Sequence, residues 1–418
     1  MKKALNAFQL LTLNAYWLGL SFKWNALHPI ILPAVLLNYV PETQKNTYLG
    51  LLTFGGLIIA MIVQPLSGAL SDGWSSRFGR RRPLILLGTL FDFAFLALLA
   101  WAGGLTWLFI GYIGLQFSSN VAHGPAQGLL PDRVPQRQLG VASGIKTFVD
   151  MAALIAASLV AGNLLDPSGK DPSRVIIVVM AVMAVSTIVT LLGTPEEATA
   201  RPDRIAIWQG LRDQFRIDLR ANATYWWLIA ERFIFLLGIY GIQQFALYYI
   251  SDVLKVENPV KATGDLMAAI AVGLVLLALA GGWLTDKIGA RRVLVLASLV
   301  TSLGCLLLLL ARSTTTLTIY GSVVGAGTGL FLTANWALAN RMAPGGEAGK
   351  YIGLTNIATA GSAALGRLWG PVLDALNDPL SGAWTGYTAL FIFGAVCTLG
   401  SLLLLTRATP AEAGGQGS

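Results

Sequence analysis

Gly68-Ala-Leu70-Ser-Asp72-Gly-Trp-Ser-Ser-Arg77-Phe-Gly79-Arg80-Arg81-Arg82-Pro83 closes one long apolar run and opens the next. Further on, Gly282-Trp-Leu284-Thr-Asp286-Lys287-Ile-Gly289-Ala-Arg291-Arg292 does the same. Gly68 to Gly282 and Asp72 to Asp286 share an offset of 214 residues, as an internal duplication predicts. The first copy carries four extra residues between its Asp and the glycine that follows. A charged turn between apolar runs reads as the point where a helix leaves the membrane and turns back.

Composition agrees with that reading. Charged residues make up 12% of the 418, against about 25% in soluble domains. Hydrophobic residues make up 55%, and mean hydropathy is +0.65. Apolar stretches long enough to span a bilayer recur from end to end. In the first half they run Leu10 to Leu37, Tyr48 to Leu70, Leu84 to Trp101, Trp107 to Leu130, Leu139 to Leu165 and Val175 to Leu192. The second half repeats the scheme with Tyr225 to Ile250, Leu266 to Leu284, Val293 to Leu310, Leu317 to Leu338, Ile352 to Leu373 and Trp384 to Leu405. The predicted fold is therefore an all-α membrane protein of twelve transmembrane helices in two six-helix bundles. Residues 1–192 form the first bundle and 223–406 the second. Residues 193–222 are a cytoplasmic linker whose Ile205, Ile207, Trp208, Leu211 and Phe215 can lie on the interface. Residues 407–418 form a flexible tail.

Basic residues set the orientation, because Lys and Arg are retained on the cytoplasmic side. With both termini inside, nineteen of the 29 lie in cytoplasmic segments, six in outer loops and four within spans. That asymmetry accounts for the net charge of +8 without any nucleic acid partner. The Met-Lys-Lys start turns apolar as a secretion signal does, yet no small-x-small cleavage site precedes Lys23, so it reads as the first span. Cys305 and Cys397 are too few and too isolated for a disulfide framework or a zinc site. No phosphate loop, HExxH or GxSxG occurs, so neither catalysis, a cofactor nor a metal is expected.

Twelve spans in two sixes, with Gly-x-Leu-x-Asp-[Arg/Lys]-x-Gly-x-[Arg/Lys]-[Arg/Lys] after the second helix of each half, resemble the major facilitator superfamily. The resemblance covers the chain to about Leu405. The longer first copy is similar to the sucrose/proton symporters and their glycoside-pentoside-hexuronide relatives, as is Asn120-Val-Ala-His-Gly124-Pro125-Ala-Gln-Gly-Leu129-Leu130-Pro-Asp132. In those symporters an acidic residue is expected about one turn before the Asn, where this chain has Gln116. The resemblance implies a gating role for Gly68, Asp72, Arg77, Gly79, Arg80, Arg81 and Arg82, and for Gly282, Asp286, Lys287, Gly289, Arg291 and Arg292. On residue chemistry, Gly68 and Gly282 let helices approach, and the aspartates can accept from loop arginines. Arg80 to Arg82 suit headgroup anchoring and pairing across the two halves; a topology anchor alone remains the alternative.

Charges inside spans are costly and usually face a cavity or a partner. Lys23, Asp92, Lys146, Asp150, Glu231, Arg232 and Arg367 qualify. Lys146 and Asp150 stand i, i+4 on one face, and Lys23 can reach Asp150. Asp150 is the expected coupling carboxylate, since proton loss and ion pairing are alternative ways to avoid a bare charge. Asp92 reads first as structural. Glu231 and Arg232 are adjacent, cannot share a face, and lie near a helix end where both can snorkel.

The fourth span carries Gln116, Asn120, His123 and Gln127 on one line, facing either a wet cavity or a helix contact. Trp24, Asn25 and His28 lie near Pro29 and Pro33, where a kink can open the first helix. The second half offers Tyr240, Gln243, Gln244, Asn335, Trp336, Asn356 and Arg367. Aromatic faces with amides suit an uncharged polyhydroxylated solute. The expected protein is a monomeric secondary transporter of the cell membrane that alternates access and symports a sugar or other small polar solute with protons. An exporter of lipophilic compounds, or a pigment or lipid delivery factor that transports nothing, fits the same residues.

Overall fold

The structure is a computed structural model that describes residues 4–73, 76, 78–101, 103–194, 223–342 and 348–408. Arg77, most of the predicted linker and most of the predicted tail lie outside the described residues. The chain opens with α1 (Ala7–Ala26), a π-helical turn (Leu27–Ile31) and α2 (Leu32–Leu36). There follow α3 (Lys45–Asp72), α4 (Arg82–Trp101), α5 (Leu105–Arg133), α6 (Leu139–Leu164) and α7 (Ser173–Gly193). The second half holds α8 (Ala223–Gln244), α9 (Ala246–Tyr249), a π-helical turn (Ile250–Leu254), α10 (Pro259–Ile288), α11 (Ala290–Leu308), α12 (Thr314–Met342), α13 (Ala348–Gly366), α14 (Trp369–Leu376) and α15 (Thr385–Ala408). A two-residue hairpin, Asn377–Asp378 with Ala383–Trp384, joins the last two.

Among the described residues, nine helices are long and apolar enough to cross a bilayer. Three more stretches, Ala7 to Leu36, α5 and Ala348 to Leu376, coincide with the predicted first, fourth and eleventh spans and carry many of the polar candidates. Large apolar side chains such as Leu192, Leu279 and Leu403 are about three-quarters exposed. Such an outer surface suits lipid rather than water.

Local chemistry fixes the ends. Asn6 and Gln9 form a reciprocal cap that starts α1, with Gln9 N–H donating to Asn6 Oδ1 at 2.8 Å and Asn6 N–H to Gln9 Oε1 at 3.0 Å. Pro29, which lacks an N–H, lies in the π turn where the kink is predicted. A second interruption falls inside the predicted eleventh span, at Arg367–Leu368, directly after Gly366. Gly79 and Gly289 take φ of 96° and 88°, a region open to glycine, and so turn the chain into α4 and α11.

The chain divides into two compact units, one over Met1–Gln214 with Glu257–Asp265, the other over Phe215–Val256 with Leu266–Ser418. In the first, α5 packs against α3 and α4 at very short range. A methyl group on Gly124 would lie 2.3 Å from the Gln64 carbonyl oxygen, and one on Gly88 2.6 Å from that of Ser118. In the second, Gly325 and Gly329 bring α12 equally close to the backbone of α10. Gly68 and Gly282 do not have the expected role. A methyl there would meet neighbours at 3.7 and 3.9 Å, ordinary contacts, because Gly124 on the opposite helix already provides the clearance at Gly68.

Candidate functional site

Lys23 stands in the last turn of α1, just before the π-helical turn, with no exposed surface. Its ammonium lies 2.5 Å from Asp92 Oδ2 on α4 and donates to Ser119 Oγ on α5 at 2.5 Å. Ser118 Oγ donates to the other Asp92 oxygen at 2.5 Å, so three helices close one charge pair. Lys23 therefore turns to Asp92 and not towards Asp150. Asp150 is partly exposed and holds Lys146 at 2.7 Å, one turn away, and Ser21 at 2.6 Å. The i, i+4 spacing predicts the Lys146–Asp150 pair; the partner of Lys23 depends on how α1 is rotated against α4.

Next to Lys23 lies an aromatic and polar wall. The ammonium is 4.7 Å from the Trp24 ring centroid, and Trp24 stacks on His28 at 4.8 Å and 16°. His28 Nε2 is 3.0 Å from Tyr112 Oη, which accepts from Gln116 Nε2 at 2.7 Å. Asn120 and Asn25 instead turn back on their own helices, donating to the carbonyls of Gln116 and Ser21 at 2.7 and 2.8 Å. His123 packs edge-on against Trp17 at 5.3 Å and meets Gln127 at 3.3 Å. The polar line of α5 thus runs from buried at Gln116 and Asn120 to exposed at Gln127.

In the second unit, Glu231 and Arg232 are both buried, contrary to the expectation that they snorkel. They point apart, as adjacent helical residues must, and Asn335 spans the gap. Asn335 Nδ2 donates to Glu231 Oε2 at 2.7 Å, and Arg232 donates to Asn335 Oδ1 at 2.8 Å and to Thr359 Oγ1 at 2.9 Å. The Arg232 guanidinium lies 5.9 Å from the ring of Trp336, which is partly exposed. Arg367 donates to the Ala363 carbonyl at 2.6 Å where the helix breaks. Gln243 lines a cavity of about 30 Å³ otherwise walled by residues such as Ile239, Met267 and Phe391. Gln244 is buried and Tyr240 half-buried, whereas Asn356 is exposed.

The Arg-rich turn is built around Arg81, which is buried. It donates to Asp72 at 2.8 Å, to Ser71 at 2.9 Å and to Asp132. Arg80 reaches Asp132 at 2.6 Å, and Arg82 donates to the Leu191 carbonyl at the end of α7. These partners belong to the first unit, so the arginines do more than anchor headgroups. Burial alone would raise the Asp132 carboxyl, but hydrogen bonds and charge from Arg81 and Arg80 outweigh it and hold the group below the usual carboxylate range. The second copy is looser: Asp286 and Arg341 meet at 3.3 Å, both exposed, and Lys287 lies 4.7 Å from the Trp283 ring. Arg291 and Arg292 are exposed in the first turn of α11.

Sequence reasoning passes over Asp132, Ser118, Ser119 and Gly128. Asp132 carried a signal as the last residue of the Asn120 motif; the serines carried none, since serine is ordinary in membrane helices.

A family model described as MFS/sugar transport protein matches residues 21–408. The multi-drug resistance efflux pump PmrA of Streptococcus pneumoniae is 23% identical over 369 residues, 87% of this chain and 86% of the pump. The uncharacterized symporter YnaJ of Bacillus subtilis is 32% identical over 127 residues, 27% of each chain. Among solved structures, a variant of the nucleoside transporter NupG superposes with a TM-score of 0.75 at 14% identity, covering 95% of this chain and 99% of that one. A multi-pass helical membrane protein matched along nearly its whole length in this way belongs to the MFS/sugar transport protein family, whose members are transporters and not enzymes.

Proposed function

We propose that the protein is a proton-coupled symporter of a sugar or similarly polyhydroxylated solute, in which Lys23 and Asp92 form the coupling pair. The observation that carries this reading is the fully buried contact of Lys23 with Asp92, closed by Ser118 and Ser119. A buried carboxylate keeps its charge only while its cation is present, so a proton on Asp92 and an ion pair with Lys23 are alternative states of one site. Changing between them frees or engages the ammonium on α1. The stacked Trp24 and His28, with Tyr112 and Gln116, offer the solute a ring face and neutral hydrogen bonds beside that ammonium. In the second unit, Trp336, Tyr240, Gln243 and Arg367 are the corresponding solute candidates. Asp150 with Lys146, the sequence-level choice, acts here as a supporting pair. The family description names sugar transport, and the partial match to YnaJ adds symport.

The protein resides in the cell membrane with both termini cytoplasmic, so the two charged turns gate its inner face as access alternates. Labelled disaccharide uptake into proteoliposomes, with and without an imposed pH gradient, tests the reading. Gradient-driven accumulation is expected, and Asp92→Asn is expected to abolish it while leaving solute binding. Uptake of no sugar, or accumulation unchanged by Asp92→Asn, would overturn it. The likeness to PmrA supports a second reading, export of lipophilic compounds, for which extrusion of a fluorescent dye in place of sugar uptake is the deciding result.

A further inference from the structure

The second unit holds another carboxyl buried as deeply as Asp92. Glu231 on α8 has no exposed surface. Its Oε2 accepts from Asn335 Nδ2 at 2.7 Å, whereas Oε1 is buried and has no hydrogen-bond partner. Among the described residues no cation forms an ion pair with it. Arg232, its neighbour in sequence, is engaged by neutral groups: Thr359 at 2.9 Å, Asn335 at 2.8 Å and the face of Trp336 at 5.9 Å. The Asn335 amide stands between the two residues with its oxygen taken by one and its nitrogen by the other.

Three kinds of ligand can be weighed for the open oxygen. A metal ion needs several oxygen donors, yet Asn335 Oδ1 already accepts from Arg232, and no cluster of three or more His, Cys, Asp or Glu occurs among the described residues. A solute cannot touch an atom that has no surface. A proton fits: bound at Oε1 it removes the charge that burial penalises most, while Oε2 goes on accepting from Asn335.

We propose that Glu231 is a proton-binding site of the second unit, carrying its proton on Oε1 in the conformation described here. When water reaches it, the Oε1–H bond breaks, the electron pair stays on Oε1 and the proton passes to water. The carboxylate so formed is balanced by Arg232. Of the other ionisable groups described on α8 and the helices packed against it, Tyr225 donates to the Tyr351 carbonyl, Tyr387 to Asp252, Arg341 pairs with Asp286, Arg407 stacks on Trp227, and Tyr240 lies on the Arg232 side. The site stands on this geometry; only its consequence, a second proton per solute, rests on the symport reading.

Infrared difference spectroscopy of the reconstituted full chain between pH 5 and 9 tests the proposal directly. A protonated-carboxyl band that shifts in D2O is expected in the wild type and in Asp92→Asn, and is expected to vanish in Glu231→Gln. Asn335→Leu, which removes the donor to Oε2, is expected to move the band frequency. A band that survives unchanged in both Glu231→Gln and Asn335→Leu would overturn it. Should Glu231→Gln fail to fold, the Asn335→Leu shift decides alone: a shift supports the site and its absence refutes it. If the band behaves as expected but no pH gradient drives uptake, the symport reading falls and the proton site stands. Where uptake is gradient-driven, the protons moved per solute should fall from two to one in Glu231→Gln; an unchanged ratio refutes the transport consequence.

Discussion

The guanidinium of Arg81 occupies the space beside Gly128: a methyl group on Gly128 would sit 2.0 Å from Arg81 Cζ. A flexible arginine can retreat, but only by leaving Asp72, Ser71 and Asp132 together. Gly128→Ala should therefore lose about 1.5–3 kcal/mol, the contribution of a charge-assisted hydrogen bond, and thermal unfolding in detergent reads it. Trypsin should also cut more readily after Arg80 and Arg81. A variant that melts and digests like the wild type would separate Gly128 from the turn.

Asp132 sets the acid limit of the same turn. Its folded-state carboxyl is held below the usual value, so its contribution is fully present above about pH 3.9 and disappears as pH falls through the lower folded value. The gap in thermal midpoint in detergent between the wild type and Asp132→Asn should therefore hold from neutral pH down to about pH 4 and close below it. Equal midpoints already at pH 7 would show that Asp132 does not stabilise the turn.

Removing one partner of a buried ion pair strands the other charge. Lys23→Met and Asp92→Leu should each lose about 3–5 kcal/mol, while the double variant should recover most of that loss. Chemical unfolding of the four proteins in detergent checks it. Losses that simply add would show that the two groups do not act as a pair.

The glycines separate close approach from mere proximity. Gly124→Ala drives a methyl against the Gln64 carbonyl and should cost about 1–3 kcal/mol, whereas Gly68→Ala meets only ordinary contacts and should fall within about 0.5 kcal/mol of the wild type. Thermal melts compare the two. Equal losses would contradict the packing of α3 on α5.

The helices were legible because apolar length and the repeated charged turns are properties of sequence alone. Pairings within one helix were legible too, as Lys146 with Asp150 shows. Choices between helices were not. The turn of Lys23 towards Asp92 depends on helix rotation and on Ser118 and Ser119, which carry no signal of their own. Glu231 and Arg232 looked like residues of a helix end, and only the position of Asn335, about a hundred residues on, shows how both stay inside. The break at Arg367 was hidden because apolar residues continue on both sides of it.

The local cancellation of charge in the first unit has an electrical consequence. Lys23 is matched by Asp92 and Lys146 by Asp150, so these four side chains together move no net charge through the membrane field. Each unmatched charge crossing 100 mV is worth about 2.3 kcal/mol. On the proposed symport reading a proton on Asp92 would supply one such charge, so voltage would drive the first unit when loaded and leave it nearly indifferent when empty.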